Sequence, residues 1–239
     1  MRVKDIDLVP GAQLPGIHLT KADLSRVDLS KANPSGAFLK NNTLTNAQFV
    51  GADLTGVNFG QSNLAGANFT GANLTGAVLS EANLTRATFD GANLTNAHLM
   101  AVNGSSAAFI GSILNGAVPS NSNFSEANFG GRAQLRGAFF HNAELWSINF
   151  TKADLSGASF LNANLTAAFF VEADCGGASF SDAKLPGANF CDADFAGANF
   201  RDADLTGVDF RGCRLDGAKM DDSTLLKGII ADPTEENRE

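Results

Sequence analysis

The chain of 239 residues contains no tyrosine, one tryptophan and only three cysteines. Cys175, Cys191 and Cys213 are an odd number of cysteines and stand where Leu, Thr or Ala recur elsewhere in the sequence. They do not have the paired spacing of a disulfide framework or of a CxxC metal site. We therefore interpret them as packing residues and expect no disulfide and no metal centre.

A long apolar segment is also missing. No run of about 18 apolar residues occurs, and the first residues, MRVKDIDLVPG, carry charges where a secretory signal needs an apolar core. On these grounds we expect a cytoplasmic protein with no membrane partner.

Residues that could support catalysis are few and scattered. His18, His98 and His141 are far apart, and no Ser or Cys is paired in the sequence with a nearby base. The glycine spacing belongs to a repeat and does not indicate a phosphate-binding loop. The sequence therefore predicts a protein that is not an enzyme and has no cofactor.

What the chain has in abundance is a five-residue repeat. Leu or Phe recurs every five residues from Leu14 onwards and usually follows Ala by two positions, as in GADLTGVNF. Two apolar residues around one polar residue are typical of a short strand with one buried face. Because five is odd, a straight strand would send successive Leu residues to opposite faces. The chain must therefore bend once in every repeat.

A longer period of 20 residues shows how many bends close one coil. Phenylalanines recur at this spacing in two series, which are Phe49, Phe69, Phe89, Phe109 and Phe129, and then Phe150, Phe170, Phe190 and Phe210. Four five-residue sides per coil predict an all-β, four-sided β-helix in which equivalent residues stack about 4.8 Å apart. Counting from Leu14 to Ile230 gives about 11 coils, with Ile230 inside the last coil. A core filled with Leu and Phe leaves no small-molecule pocket.

The tandem motif A-[DN]-[LF]-x-x, from about residue 14 to residue 230, resembles the pentapeptide repeat family. This resemblance implies a right-handed quadrilateral β-helix, or solenoid, and says little about function. It divides the chain into an N-terminal cap (1–13), a single β-helix (14–231) and a short acidic tail (232–239).

The repeat slips once, because Phe129 and Leu135 are six residues apart instead of five. The order of residues is the same on both sides of the slip, so one residue of 130–132 should bulge at a corner, where glycine permits a positive φ. A tolerated insertion and a recognition feature both remain open. The second alternative depends on outward-facing residues of the next coil, which are Arg132, Arg136, Phe139, His141 and Trp146. It predicts that Arg132 projects beside Trp146.

One side of the rod is predicted to be unusually apolar. The residues immediately before the central Leu or Phe on that side include His18, Phe38, Val78, His98, Val118 and Phe139. Single exposed apolar residues are normal, whereas residues aligned along one face indicate a partner surface. Exposed Trp and Arg are also enriched in binding hot spots. We therefore predict a non-enzymatic scaffold that binds a protein partner.

The net negative charge comes entirely from the second half of the chain. Residues 1–133 contain eight acidic and eight basic residues, whereas residues 134–239 contain 17 and nine. Asp154, Asp174 and Asp194 share one column, and Glu172 and Asp192 share a neighbouring one. Such columns repel nucleic acid and favour basic proteins, although Asp also serves as a turn former in this motif.

The acidic columns keep a second function open. The resemblance extends to quinolone-resistance and topoisomerase-inhibiting proteins of the family, which implies an acidic DNA mimic that binds DNA gyrase or topoisomerase. That branch dimerises through a C-terminal helical cap, whereas little sequence follows the repeats here. Leu225, Leu226 and Ile229 are instead predicted at an open end, so we expect a weak homodimer through the C-terminal end.

Overall fold

The structure is a computed structural model that describes residues 2, 3, 6–224, 228 and 230. The chain starts with a short antiparallel hairpin of β1 (Arg2–Val3) and β2 (Ile6–Asp7), in which Arg2 is opposite Asp7 and Val3 is opposite Ile6. From Gln13 onwards it winds as a four-sided β-helix. Isolated parallel bridges join residues 20 apart, of which the first is Gln13 to Asn33. This spacing confirms that four repeats make one coil.

Every side of the β-helix has the same layout. A central residue, usually Leu or Phe, is buried, the bridge residue before it faces outward and pairs with the neighbouring coils, and normally two corner residues follow. We number the sides 1 to 4 after their first central residues, Leu14, Leu19, Leu24 and Leu29. Corners are named by the two sides that they join.

Polar side chains stabilise the corners. The second corner residue has a positive φ, and the next residue donates its N–H to the central carbonyl, as in Ala52 to Phe49 at 3.0 Å. The bridge residue Asp53 accepts hydrogen bonds from the N–H and hydroxyl of Thr55 at 3.1 and 2.6 Å. Asx turns of this kind explain why Asn, Asp, Thr and Ser recur outside the core.

Phenylalanine rings form a ladder inside the rod. Ring centroids on side 4 are 4.9, 4.6, 4.7 and 4.4 Å apart from Phe49 to Phe129, and each pair is within 5° of parallel. The predicted side-4 stack is therefore confirmed. Beyond the slip the near-parallel stack lies on side 2, where Phe140, Phe160, Phe180 and Phe200 are 5.1, 4.9 and 5.1 Å apart.

The slip lies at the corner between sides 4 and 1. This corner has three residues instead of two, and both Gly131 and Arg132 have positive φ, at 64° and 70°. Bridges across it join residues 21 apart, as in Ile113 to Gln134. All four columns continue unchanged, so one residue of Gly130–Arg132 is additional to a regular two-residue corner.

A second one-residue slip makes the prediction for Ile230 wrong. Asp209 bridges Ile230, 21 residues later, so Ile230 is a bridge residue that is half-exposed at 51% instead of a central one. Thr224 is shifted in the same way, because its buried hydroxyl donates to the carbonyl of Phe200 at 3.0 Å from the place of the usual Ala. The extra residue therefore lies between Met220 and Thr224.

Several predictions fall outside the described residues. The expected open end with Leu225, Leu226 and Ile229, and the acidic tail over 232–239, lie there. Within the described residues, no helix is long and apolar enough to cross a membrane.

Candidate protein-binding surfaces

The apolar residues predicted on one side do share side 2. Parallel bridges connect His18 with Phe38 and Val78 with His98, and Phe139 follows one coil after Val118. We call these six bridge residues the apolar stripe, which consists of His18, Phe38, Val78, His98, Val118 and Phe139. Asn58 is the one polar interruption in it.

Ring contacts hold two parts of the stripe in place. The His18 and Phe38 rings stack at 5.5 Å, and Phe139, which is 45% exposed, contacts the edge of His141 at 5.7 Å. His141 Nε2 is also 2.8 Å from Ser159 Oγ, which fixes the imidazole at the corner between sides 2 and 3. The exposed Met100 lies at the same corner two coils earlier. Rigid aromatic groups of this kind need little ordering when they bind a partner.

The residues that follow the slip do not form one patch. Arg132 lies at the corner between sides 4 and 1, Arg136 at the corner between sides 1 and 2, and Trp146 at the corner between sides 3 and 4. Only Phe139 and His141 are adjacent to the apolar stripe on side 2. The structure therefore separates Arg132 from Trp146, because residues within one coil are distributed around its whole perimeter.

Arg132 instead faces a charged depression on side 1. This open depression of about 370 Å³ is lined by Arg132, Gln134, Arg136, Lys152, Ala153, Asp154, Glu172 and Asp174. Arg136 pairs with Asp154, and Lys152 Nζ is 3.3 Å from Glu172 Oε2. Partial burial acts to raise the pKa of Asp154, but hydrogen bonds from Ser156 and Arg136 outweigh it and leave that pKa below its ordinary value.

The predicted acidic columns are present but largely neutralised. Bridges join Asp154 to Asp174 and Asp174 to Asp194, which makes one continuous column on side 1. The next bridge residue is Arg214, whose guanidinium lies 3.0 Å from Asp194. With Asp154 and Glu172 also paired, Asp174 and Asp192 are the predicted acidic residues for which no ion pair is found within the described part of the chain.

The sequence reasoning did not single out Phe169 and Ile110. Phe169 is a bridge residue on side 4 that is 45% exposed, and Ile110 lies at the corner between sides 4 and 1 with 43% exposure. A search for apolar residues at outward phases on every side, and not on side 2 alone, would have found both. They are isolated from the apolar stripe.

The three cysteines lie in packed positions. Cys175 is a fully buried central residue on side 1, and burial raises the pKa of its thiol well above the ordinary value. Cys191 and Cys213 are half-buried. A protonated, enclosed thiol is a poor nucleophile, which agrees with a packing role for Cys175.

The chain matches a known protein family. A model described as pentapeptide repeats matches the chain in 8 copies, over residues 22–61, 62–99, 105–131, 133–170, 173–212 and 192–225. These ranges cover well over half of the sequence. No curated protein matches the chain.

Solved structures similar to this chain are themselves repeat proteins. HetL, a pentapeptide repeat protein involved in heterocyst differentiation regulation in the cyanobacterium Nostoc sp. strain PCC 7120, is 26% identical over 91% of this chain and 87% of its own, with a TM-score of 0.44. QnrB1, a plasmid-mediated fluoroquinolone resistance protein, is 21% identical over 90% and 93%, with a TM-score of 0.45. A pentapeptide repeat protein from the Arabidopsis thaliana thylakoid lumen is 31% identical over 45% and 68%, with a TM-score of 0.29.

Proposed function

Because this chain belongs to the pentapeptide repeat family, we propose that it is a non-enzymatic scaffold whose rigid surface binds another protein. The proposal takes residues 14–231 as one right-handed β-helix of about 11 coils, after an N-terminal cap over residues 1–13. The observation that carries it is the apolar stripe on side 2, since other outward positions are mostly Asn, Asp, Thr, Ser and Gly. Aligned apolar groups on a rigid face are typical of a binding surface.

Arg136, Phe139 and His141 extend the proposed surface at its second-half end. Phe139 belongs to the stripe, and His141 and Arg136 occupy the two corners that border side 2. Arg132 and Trp146 are proposed as separate contacts, because their corners do not border side 2. A partner on the stripe alone does not reach them.

Matched substitutions on two sides test the proposal. Val78→Asp with Val118→Asp places two carboxylates in the stripe, whereas Asn83→Asp with Asn123→Asp places them at bridge positions on side 3. Immobilised parent and variants are exposed to a lysate of the native organism, and bound proteins are identified by mass spectrometry. We expect a specific partner to be lost with the side-2 variant and retained with the side-3 variant.

The result that would overturn this proposal is retention of every bound protein by the side-2 variant while both variants keep the parent's thermal midpoint. Trp146→Ala in the same experiment examines the corner between sides 3 and 4 separately. Removal of an exposed Trp from a hot spot costs about 2 kcal/mol or more of binding.

The acidic column on side 1 favours a second candidate, the DNA mimic that binds DNA gyrase or topoisomerase. Ion pairs to Arg136, Lys152 and Arg214 weaken this candidate, since a mimic of DNA needs uncompensated negative charge. A supercoiling assay with purified gyrase distinguishes the two functions. Inhibition that is lost in Asp174→Asn with Asp192→Asn would favour the mimic.

A further inference from the structure

The only tryptophan of the chain lies beside two carboxylates at the corner between sides 3 and 4. Trp146 is the first residue of this corner and is 42% exposed. Glu144 is the bridge residue two positions before it, and because the buried Leu145 separates them, both side chains face outward. Glu126 is the second corner residue one coil earlier, and its N–H donates to the Trp146 carbonyl at 3.0 Å. We call Glu126, Glu144 and Trp146 the Trp146 site.

Hydrogen bonds from uncharged side chains hold the two carboxylates in place. Asn164, in the following coil, donates its Nδ2 to Glu144 Oε2 at 2.8 Å. Ser106, in the coil before Glu126, donates its hydroxyl to Glu126 Oε2 at 3.2 Å. Within the described part of the chain, neither carboxylate forms an ion pair and the Trp146 indole forms no ring contact. The two negative charges are therefore fixed but not compensated.

Basic residues of the rod lie too far away to neutralise the site. In the same two columns, Arg86 lies two coils before Glu126 and Lys184 lies two coils after Glu144. Two coil steps are about 9.6 Å. This distance exceeds the Debye length of about 8 Å at physiological ionic strength, so the attraction is largely screened.

The acidic columns on side 1 differ from this site in two respects. Asp154, Glu172 and Asp194 are paired with basic side chains of the rod itself. The described residues that line the depression there include no aromatic one. Uncompensated carboxylates and an exposed aromatic ring thus occur together at the Trp146 site, and this combination attracts a cation.

The chemistry of the site favours arginine as that cation. The face of an indole attracts cations more strongly than the face of any other aromatic side chain. A guanidinium is planar, so it can stack on the indole while its N–H groups donate to a carboxylate at its edge. It is also more weakly hydrated than an ammonium group, which makes its transfer from water less costly.

Other occupants fit the same surface less well. Nucleic acid would be repelled by the two carboxylates, and an apolar segment would bury them without compensation. A single metal ion cannot bridge the carboxylates, because their hydrogen-bond partners Ser106 and Asn164 are three coil steps of about 4.8 Å apart. This separation suits a segment that carries more than one basic residue.

We propose that the Trp146 site binds an arginine-bearing segment of a partner protein, with one guanidinium on the indole and basic side chains against Glu126 and Glu144. This inference rests on the proposed scaffold function and names the chemistry of the partner at a corner that side 2 does not border. The backbone at the site is part of the β-helix, so binding needs no rearrangement of it.

Fluorescence of the single tryptophan reports binding at this site directly. The full-length protein is titrated with a peptide of about 10 residues that alternates Arg with Gly, and the control peptide carries citrulline, an uncharged analogue of arginine. We expect a saturable change in Trp146 emission with the arginine peptide and at least about tenfold weaker binding of the citrulline peptide. A peptide with Lys in place of Arg should bind about threefold more weakly, because an ammonium group does not stack on the indole.

Matched charge variants test the two carboxylates. Glu126→Gln with Glu144→Gln removes two negative charges from the Trp146 site, whereas Asp174→Asn with Asp192→Asn removes two unpaired ones from the side-1 region. We expect about tenfold weaker binding of the arginine peptide by the first variant and less than about twofold weaker binding by the second, with circular dichroism unchanged.

Matched aromatic variants test the indole. Phe169 is as exposed as Trp146, at 45%, but its bridge neighbours Asn149 and Asn189 are uncharged. Binding of a fluorescently labelled arginine peptide is followed by anisotropy, since one variant lacks the tryptophan. We expect about fivefold weaker binding for Trp146→Ala and less than about twofold for Phe169→Ala.

Equal losses within either matched pair, or equal binding of the arginine and citrulline peptides, overturn the inference. Equal binding of the arginine and lysine peptides overturns the choice of arginine. If the peptide results fail although the Val78→Asp and Val118→Asp variant loses a native partner, the arginine site is wrong and the scaffold function stands. If no native partner depends on side 2 either, the scaffold proposal fails as well.

Discussion

The two halves of the rod, before and after the slip at residues 130–132, have the same backbone but different interiors. In the first half the side-4 rings stack within 5° of parallel. In the second half the side-4 rings tilt, and Phe170 and Phe190 are at 88°. Phe195 on side 1 lies 4.3 Å from Phe190 and occupies space that a parallel ring would need. Bridges and corners therefore determine the fold, while the aromatic packing inside can vary.

The outer surfaces of the halves also differ independently of their cores. The first half has balanced charge and carries five of the six stripe residues, whereas the second half carries the acidic columns and their ion pairs. Inward-facing and outward-facing residues alternate along each side, so a bridge residue does not contact the interior and the surface can differ without a change in the core. Surface and core can thus be altered separately.

The largest expected effect is the loss of stability when a core ring is removed, and it should differ between the two halves. Phe89→Ala should destabilise the protein by about 3–5 kcal/mol, because neighbours held in a parallel stack cannot close the cavity. Phe170→Ala should cost about 1 kcal/mol less, since the tilted rings around it can reorient. Thermal unfolding followed by circular dichroism should show drops of about 6–20 °C for Phe89→Ala. Equal drops would mean that ring tilt confers no freedom to repack.

A paired exchange of volume in the first half is the next test. Gly104 occupies a central position on side 3, and a Cβ there would overlap the Phe124 ring. Gly104→Leu should therefore cost about 1–3 kcal/mol by overpacking. Adding Phe124→Leu should restore much of that loss, because it returns both positions to the usual Leu. Thermal midpoints of the parent, the two single variants and the double variant give the coupling between the two substitutions. Additive effects on stability would contradict this account.

A pH series examines an ion pair near the end of the second half. The hydrogen bond from the Arg211 side chain lowers the pKa of Asp209 to about 2. A carboxyl with a depressed folded pKa stabilises the fold above its ordinary pKa, and this stabilisation is lost as pH falls from about 4 to about 2. Asp209→Asn should lower the thermal midpoint at pH 7 and have no such effect near pH 2. Arg211→Gln should show the same pH dependence of the thermal midpoint. If the midpoint difference between Asp209→Asn and the parent is the same at pH 7 and near pH 2, this ion pair is not its cause.

The smallest expected effect comes from a deletion that removes the slip and places both halves in one register. Deletion of Gly130 leaves Gly131 and Arg132 as an ordinary two-residue corner, and Arg26 and Arg86 show that Arg accepts the positive φ of its second position. Stability should change by no more than about 0.5 kcal/mol. Deletion of Gly111, from a regular corner, is the control and should be far more damaging. If the Gly130 deletion also retains every partner, the slip is a neutral insertion.

Much of the fold could be predicted from periodicity because each central residue has one place in one column. The second slip was missed because Thr224 replaces the usual Ala, and its hydroxyl is satisfied by a carbonyl that the sequence does not reveal. Two adjacent leucines, Leu225 and Leu226, also fit either register.

The candidate site was predictable only where its residues are 20 apart. The apolar stripe has that spacing and was found. Arg132 and Trp146 are close in sequence, yet 14 residues correspond to almost three sides of a coil. Proximity along this chain therefore does not mean proximity on its surface.

The unchanged columns across the slip also imply a simple arithmetic for insertions. One extra residue at a corner leaves every later side where it was, whereas five extra residues would add one whole side and turn everything downstream by a quarter of a revolution. Twenty would restore the orientation and only lengthen the rod by about 4.8 Å. The direction in which each surface points is thus encoded in the number of repeats that precede it.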